Sequence, residues 1–211
     1  VLARKYSGDN PLLVYLPEKA FDTEKFLMDV EHAFDKNCNV VVCVSEGIRD
    51  EKGTFICEYE NDVCTDNFGH KMLTGCGKYL ENLVRSRLGV KARSVELNVS
   101  QRCSASLISA TDQKEAITAG KFGVQAALNG ETGKMVSFIR QTDSEGNYQM
   151  VCGLEDVNAI CNEEKTVPLT WITSDGHDVT EDFIRYARPL IQGNIEVPLG
   201  EDGLPKFVYR K

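Results

Sequence analysis

Two apolar runs without alternation, Leu12-Leu13-Val14-Tyr15-Leu16 and Val40-Val41-Val42-Cys43-Val44, flank a capped amphipathic stretch, and this restricts the chain more than any other feature. An unbroken apolar run of this length suits a strand covered on both faces. Pro17 ends the first run, and Asp22 follows as an N-cap, with Phe21 and Phe26 at the two positions of a hydrophobic staple. Phe26, Leu27, Val30, Ala33 and Phe34 then recur at helical spacing. Strand, helix and strand in so short a stretch predict a βαβ unit and a parallel sheet.

The same alternation continues downstream. Thr54–Tyr59 reads as a strand, and a helix from about His70 to Arg87 places Leu73, Cys76, Leu80, Leu83 and Val84 on one face. Ser94–Val99 reads as a third core strand. Asp112 and Glu115 have capping-box spacing for a helix ending near Asn129, with Gly130 as its stop. Met135–Ile139 reads as a further strand. Asp178 and Glu181 offer a second capping box before Phe183, Ile184 and Ala187, with Pro189 closing that helix. After Gly193 an extended surface tail is expected. The fold class is therefore α/β.

The 211 residues suffice for one large domain or for two lobes sharing a crevice. A formal charge of −8 argues against nucleic acid as a bulk partner, since phosphate backbones need a cationic surface. It leaves room for a small phosphorylated ligand held by a few placed arginines. No apolar run reaches the length of a membrane span, no signal peptide opens the chain, and no membrane partner is expected. Val1–Tyr6 reads as a helix end, as expected of a piece of something longer. The eight cysteines form no C-x-x-C, and Cys43, Cys57 and Cys152 lie in apolar, strand-like runs. Such thiols behave as small buried hydrophobes in a reducing compartment, which points to the cytoplasm.

Open α/β sheets bind ligands beyond the carboxyl ends of their strands. Pro17-Glu18 follows the first predicted strand, and Ser100-Gln101-Arg102-Cys103 the third. A carboxylate accepts hydrogen bonds from sugar hydroxyls, and an arginine fork grips a phosphate. A lone Glu or Arg at a strand end is more often a solvated side chain, so either residue alone is weak evidence. Arg93 falls at the opposite end of the third predicted strand, about six steps of roughly 3.3 Å from the Arg102 loop. On that spacing Arg93 is either idle or serves a neighbouring subunit. Thr74-Gly75-Cys76-Gly77-Lys78 fails the phosphate-loop pattern, with Met72 at the first glycine position and Tyr79 at the magnesium-binding one. The three histidines are scattered, with no triad or metal spacing. No G-x-G-x-x-G follows a strand, which counts against a dehydrogenase-type nucleotide domain.

Pro17-Glu18, Ser45-Glu46-Gly47-Ile48, Asp66-Asn67-Phe68-Gly69-His70, the Lys91-to-Arg102 stretch and Pro189-Leu190-Ile191-Gln192-Gly193 occur in that order. This ordered set resembles the C-terminal portion of phosphofructokinases, specifically the short pyrophosphate-dependent branch, from about Leu12 to Leu204. The resemblance implies Rossmann-like three-layer lobes, incomplete in this fragment. It divides the chain into a sugar-phosphate lobe (1–100), a segment returning toward an N-terminal lobe (101–140) and a C-terminal extension packing on the first lobe (141–211). It implies that Glu18 contacts fructose 6-phosphate hydroxyls, that Arg102 holds the 6-phosphate, and that Arg93 reaches a neighbouring subunit's site in a homo-oligomer. ATP-dependent relatives carry His three residues before the Gln-Arg arginine and a Gly pair after it. Val99 and Cys103-Ser104 stand there instead, which favours pyrophosphate as donor over ATP. The glycine-rich donor loop, the Thr-Ile-Asp segment and the Met-Gly-Arg segment of the family are not in this chain. The catalytic base and the Mg²⁺ ligands are thus expected outside it, with no catalytic or metal residue here, and the fragment alone is expected to be inactive. The rival reading is a non-catalytic sugar-phosphate-binding or regulatory subunit that kept Glu18 and Arg102.

Overall fold

The computed structural model describes residues 1–59 and 75–206, without the side chains of Gln101, Arg102 and Ser106. In chain order the strands are β1 (Leu13–Tyr15), β2 (Val42–Val44), β3 (Lys134–Thr142) and β4 (Tyr148–Asp156). The helices are α1 (Thr23–Lys36), α2 (Cys76–Leu88), α3 (Asn98–Cys103), α4 (Ala110–Leu128), α5 (Val157–Ile160) and α6 (Glu181–Ala187). The chain divides into two compact units, one of residues 1–97 with 166–185 and the other of residues 98–165 with 186–211.

The first unit is built on the βαβ element read from the sequence. β1 and β2 pair in parallel, Tyr15 opposite Val44, with α1 as the crossover. The Asp22 carboxylate caps α1, accepting from the N–H groups of Glu24 and Lys25. The staple forms as ring on ring, Phe21 and Phe26 lying 5.4 Å apart at their centroids, with Tyr15 set edge-on against both. These three aromatics join Leu13, Leu27, Val30, Ile48, Ile56, Cys57, Cys76, Leu80 and Val84 in a single core. β2 departs from a strand covered on both faces, because Cys43 is exposed.

Two predicted strands of this unit do not form. Among the described residues, Thr54–Tyr59 makes only an Arg49–Phe55 bridge before a 3₁₀ turn over Ile56–Tyr59. The Asp50 carboxylate accepts from the N–H groups of Lys52 and Thr54 and ties a tight turn there, leaving no length for a ladder. Ser94–Leu97 is irregular, and Asn98–Cys103 is the short helix α3. A side chain claims the first N–H that a ladder would have used. Glu81 of α2 accepts from the Ser94 N–H at 2.9 Å and from its hydroxyl at 2.8 Å, while Glu96 accepts from the Gly75 N–H. Gly77 lets α2 approach this segment, since a Cβ there would stand 3.3 Å from that of Ser94. Of the helix expected over 70–87, the part before Gly75 lies outside the described residues. Cys76, Leu80 and Val84 are buried as its spacing required.

In the second unit α4 begins earlier than its expected capping box. Ser109 is the N-cap, its Oγ accepting from the Asp112 N–H, and Asn129 with Gly130 (φ 85°) closes the helix. The expected strand 135–139 belongs to a longer antiparallel hairpin, β3 pairing with β4 from Lys134–Asp156 to Thr142–Tyr148. Its turn is tied by Asp143, whose carboxylate accepts from the Glu145 and Asn147 N–H groups. Asp178 does not cap α6. Its carboxylate pairs instead with Arg4 at 2.7 Å, at the chain's opening turn, which is no helix end.

Candidate functional site

Parallel pairing places the carboxyl ends of β1 and β2 side by side, so Pro17-Glu18 and Ser45-Glu46-Gly47 leave the sheet at one edge. The Ser45 N–H donates to the Tyr15 carbonyl at 3.0 Å, and a Cβ on Gly47 would stand 3.7 Å from Pro17 Cβ. Ile48 is wholly buried beneath this junction, and the Phe21 N–H donates to the Arg49 carbonyl at 2.7 Å. The two segments are therefore a pair of loops locked together, with Glu18 at their rim.

Glu18 is half-buried, and its two oxygens differ. Oε1 accepts from the main-chain N–H of Val167 at 2.8 Å. Oε2 is buried and, among the described residues, has no hydrogen-bond partner. A carboxylate oxygen in that state costs free energy unless a donor arrives, and the hydroxyl of a bound sugar is such a donor.

Arg93 is exposed and lines an open cleft of about 590 Å³ with Glu81, Arg85, Gly89, Val90, Lys91 and Ala92. Its neighbour Ser94 is held by Glu81, whose carboxyl also takes the Lys78 ammonium at 2.7 Å. Lys78, then the Ser94 N–H and hydroxyl, hold Glu81 down at about 2. Arg85, Lys91 and Arg93 make the cleft cationic, a setting suited to an anionic group.

Arg102 lies in α3, in the second unit, and its side chain is outside the described atoms. The strand that was to separate Arg93 from Arg102 is absent, so strand length does not set the distance between them and gives no reason for a role in trans. Asp66–His70 also lies outside the described residues. Pro189–Gly193 has a structural place in the second unit. The carbonyls of Leu190, Gln192 and Gly193 accept from Ser109 Oγ and from the Thr111 and Ala110 N–H groups, and so satisfy the start of α4. Gly193 (φ 79°) is required there, because a Cβ would meet that of Ala110 at 2.7 Å.

Sequence reasoning missed the strap of residues 166–179. Val167 reaches Glu18, the Val14 N–H donates to the His177 carbonyl at 2.7 Å, and Lys19 donates to the Ser174 carbonyl at 2.8 Å. Neither a periodic pattern nor a motif marks it. The one available signal was Gly176, which has a φ of 82° and stands against the Lys19 side chain.

No family profile matches the chain. Its similarity to single proteins is extensive. It is 35% identical over 210 residues to a pyrophosphate–fructose 6-phosphate 1-phosphotransferase of Xanthomonas campestris, covering all of this chain and 49% of that protein. It is 37% identical over 205 residues to the enzyme of that name from Halomonas elongata, covering 97% and 48%. Among solved structures, the pyrophosphate-dependent phosphofructokinase of Marinobacter aquaeolei superposes with a TM-score of 0.76 at 28% identity, over the whole of this chain and 49% of that one. The chain thus has the α/β architecture of phosphofructokinases and spans about half the length of the curated relatives it matches. It belongs to the phosphofructokinase family, on the pyrophosphate-dependent branch, and corresponds to the C-terminal half of those relatives.

Proposed function

We propose that this chain is the acceptor-side part of an enzyme that phosphorylates fructose 6-phosphate to fructose 1,6-bisphosphate with pyrophosphate. The observation that carries the proposal is Glu18, fixed through Oε1 and offering a buried, unpartnered Oε2 at the carboxyl end of β1. That oxygen accepts a hydrogen bond from a sugar hydroxyl, and Arg102 takes the 6-phosphate as a charge-assisted pair. The 1-hydroxyl oxygen bonds to a phosphorus of pyrophosphate as the bridging P–O bond breaks, and orthophosphate leaves with that bond's electron pair. The hydroxyl proton passes to a base outside this chain. Mg²⁺ would neutralise charge on the pyrophosphate. The family pattern assigns its ligands to segments of the parent outside this chain. The chain's own work is to bind and orient the sugar phosphate.

Arg93 serves the equivalent site of a second copy in a homo-oligomer. Its exposure in a cationic cleft supports this, as does the family pattern of the Lys91-to-Arg102 stretch. Residues 1–100 form the sugar-phosphate lobe, 101–140 return toward the other lobe of the parent, and 141–211 are a C-terminal extension. In favour of that division, α4 buries only Ala126 among its residues and leaves Ile117, Val124 and Leu128 exposed, an apolar face for the parent's other half to cover. No described helix is long and apolar enough to cross a membrane. The cytoplasm is the compartment that suits the chain's free thiols. The proposal is tested by Arg102→Ala in the full-length parent. Loss of a charge-assisted phosphate contact, about 1.5–3 kcal/mol, raises the fructose 6-phosphate KM at least roughly tenfold. Steady-state kinetics with an unchanged KM remove Arg102 from the site.

A further inference from the structure

We propose that the main-chain N–H of Val167 is a positioning group for substrate, setting the Glu18 carboxylate so that Oε2 faces the sugar. The inference rests on the reading of Glu18 as a sugar contact. A glutamate on a loop rim has three side-chain torsions to order before it can meet a ligand. Here the ordering is done in advance. The Val167 N–H holds Oε1 at 2.8 Å from a position 149 residues away in sequence. With Oε1 held, the carboxylate has less freedom to turn, and Oε2 is left as the oxygen without a partner among the described residues.

The clamp is only as good as the strap that presents it, and the strap is tied along its length. Ile172 and Val179 bridge across it and are both nearly buried, and the Thr180 N–H donates to the Trp171 carbonyl at 2.8 Å. The Val14 N–H, on the edge of β1 away from β2, donates to the His177 carbonyl. Lys19 and Lys25 donate to the carbonyls of Ser174 and Asp175, and Asp178 pairs with Arg4. Lys19 is the residue next to Glu18, so the loop carrying the carboxylate and the strap carrying its donor are fastened to each other. Pro168 follows Val167 and holds it to extended backbone.

Removing the donor returns the torsional freedom of Glu18, whose ordering corresponds to roughly ten- to thirtyfold in affinity. In the full-length enzyme Val167→Pro, which lacks the N–H, is expected to raise the fructose 6-phosphate KM about tenfold, with kcat and the pyrophosphate KM within twofold. Val167→Ala keeps the N–H, so it raises the KM by a smaller factor than Val167→Pro, and equal rises in the two variants would show that the side chain and not the N–H acts on Glu18. Because Val167 acts through Glu18, Val167→Pro added to Glu18→Ala changes the KM no further. Should Val167→Pro fail to fold, Pro168→Gly replaces it. That change loosens Val167 at an exposed position and raises the KM in the same direction by a smaller factor. If Glu18→Ala leaves the KM within twofold, Glu18 is no sugar contact and the inference falls with that reading. If Glu18→Ala raises the KM and the backbone variants do not, Glu18 stands and the role of Val167 is wrong. Additive effects in the double variant overturn it as well, since Val167 would then act through something other than Glu18.

Discussion

Phe26→Ala is the sharpest test of how the site loops are supported. Phe26 is 2% exposed, and its ring stands 5.4 Å from Phe21 and 5.5 Å from Tyr15. Tyr15 ends β1 two residues before Pro17, and Phe21 is hydrogen-bonded to Arg49 just after Gly47, so the trio underlies both site loops. Two aromatic contacts contribute about 0.5–1.5 kcal/mol each beyond burial. With the transfer and cavity costs of deleting a buried ring, the total loss is about 3–5 kcal/mol. Phe34 lies two turns along the same helix but is 45% exposed, so Phe34→Ala deletes the same atoms for about 1 kcal/mol or less. Both substitutions gain the same helix propensity, which cancels in the comparison. Urea unfolding followed by far-ultraviolet circular dichroism measures the difference, with Phe26→Leu as the milder variant if the alanine does not fold. Equal losses at the two positions refute the reasoning, because burial would then not decide the cost.

Arg93→Ala and Arg102→Ala in the full-length parent are each expected to be nearly inactive at low fructose 6-phosphate. Mixed oligomers from co-expression regain part of the rate, because some sites then draw both arginines from intact copies. If Arg93→Ala alone keeps kcat/KM within about twofold, under roughly 0.5 kcal/mol, no shared site exists. Glu81, whose pKa falls from the ordinary 4.5 to about 2 on folding, stabilises the chain above pH 4.5 and loses that contribution as pH drops toward 2. Glu81→Gln removes that titration, so its urea midpoint should fall less steeply than the wild type's across this window, and identical slopes would discard the anchoring of Ser94 by Glu81.

The readable parts were those decided by neighbours in sequence. The Asp22 cap, the Phe21–Phe26 staple, the spacing of Cys76, Leu80 and Val84, and the stop at Gly130 each involve residues within a turn or two, so pattern alone reached them. The hairpin was only half legible. Asp143–Asn147 carries a turn signal, but β4 holds Gly153 amid its apolar residues and lacks a clean alternation. Glu18 and Arg93 were singled out by their places at the ends of predicted strands and given roles by resemblance, and the structure adds what holds the one and what anchors the chain beside the other.

From sequence alone came the βαβ start, the α/β class and the family, because local propensity and an ordered set of short motifs survive without knowledge of contacts. Tertiary structure alone decided the fate of Ser94–Val99. Its alternating pattern suits a strand, but a strand exists only when another offers it a ladder, and here Glu81 takes the Ser94 N–H while Val95 and Val99 are left exposed. It also decided that Asp178 binds Arg4 rather than capping α6, and that Val167 holds Glu18. These are single contacts across more than a hundred residues, made by groups that chain entropy separates and only the packed fold brings to hydrogen-bonding distance.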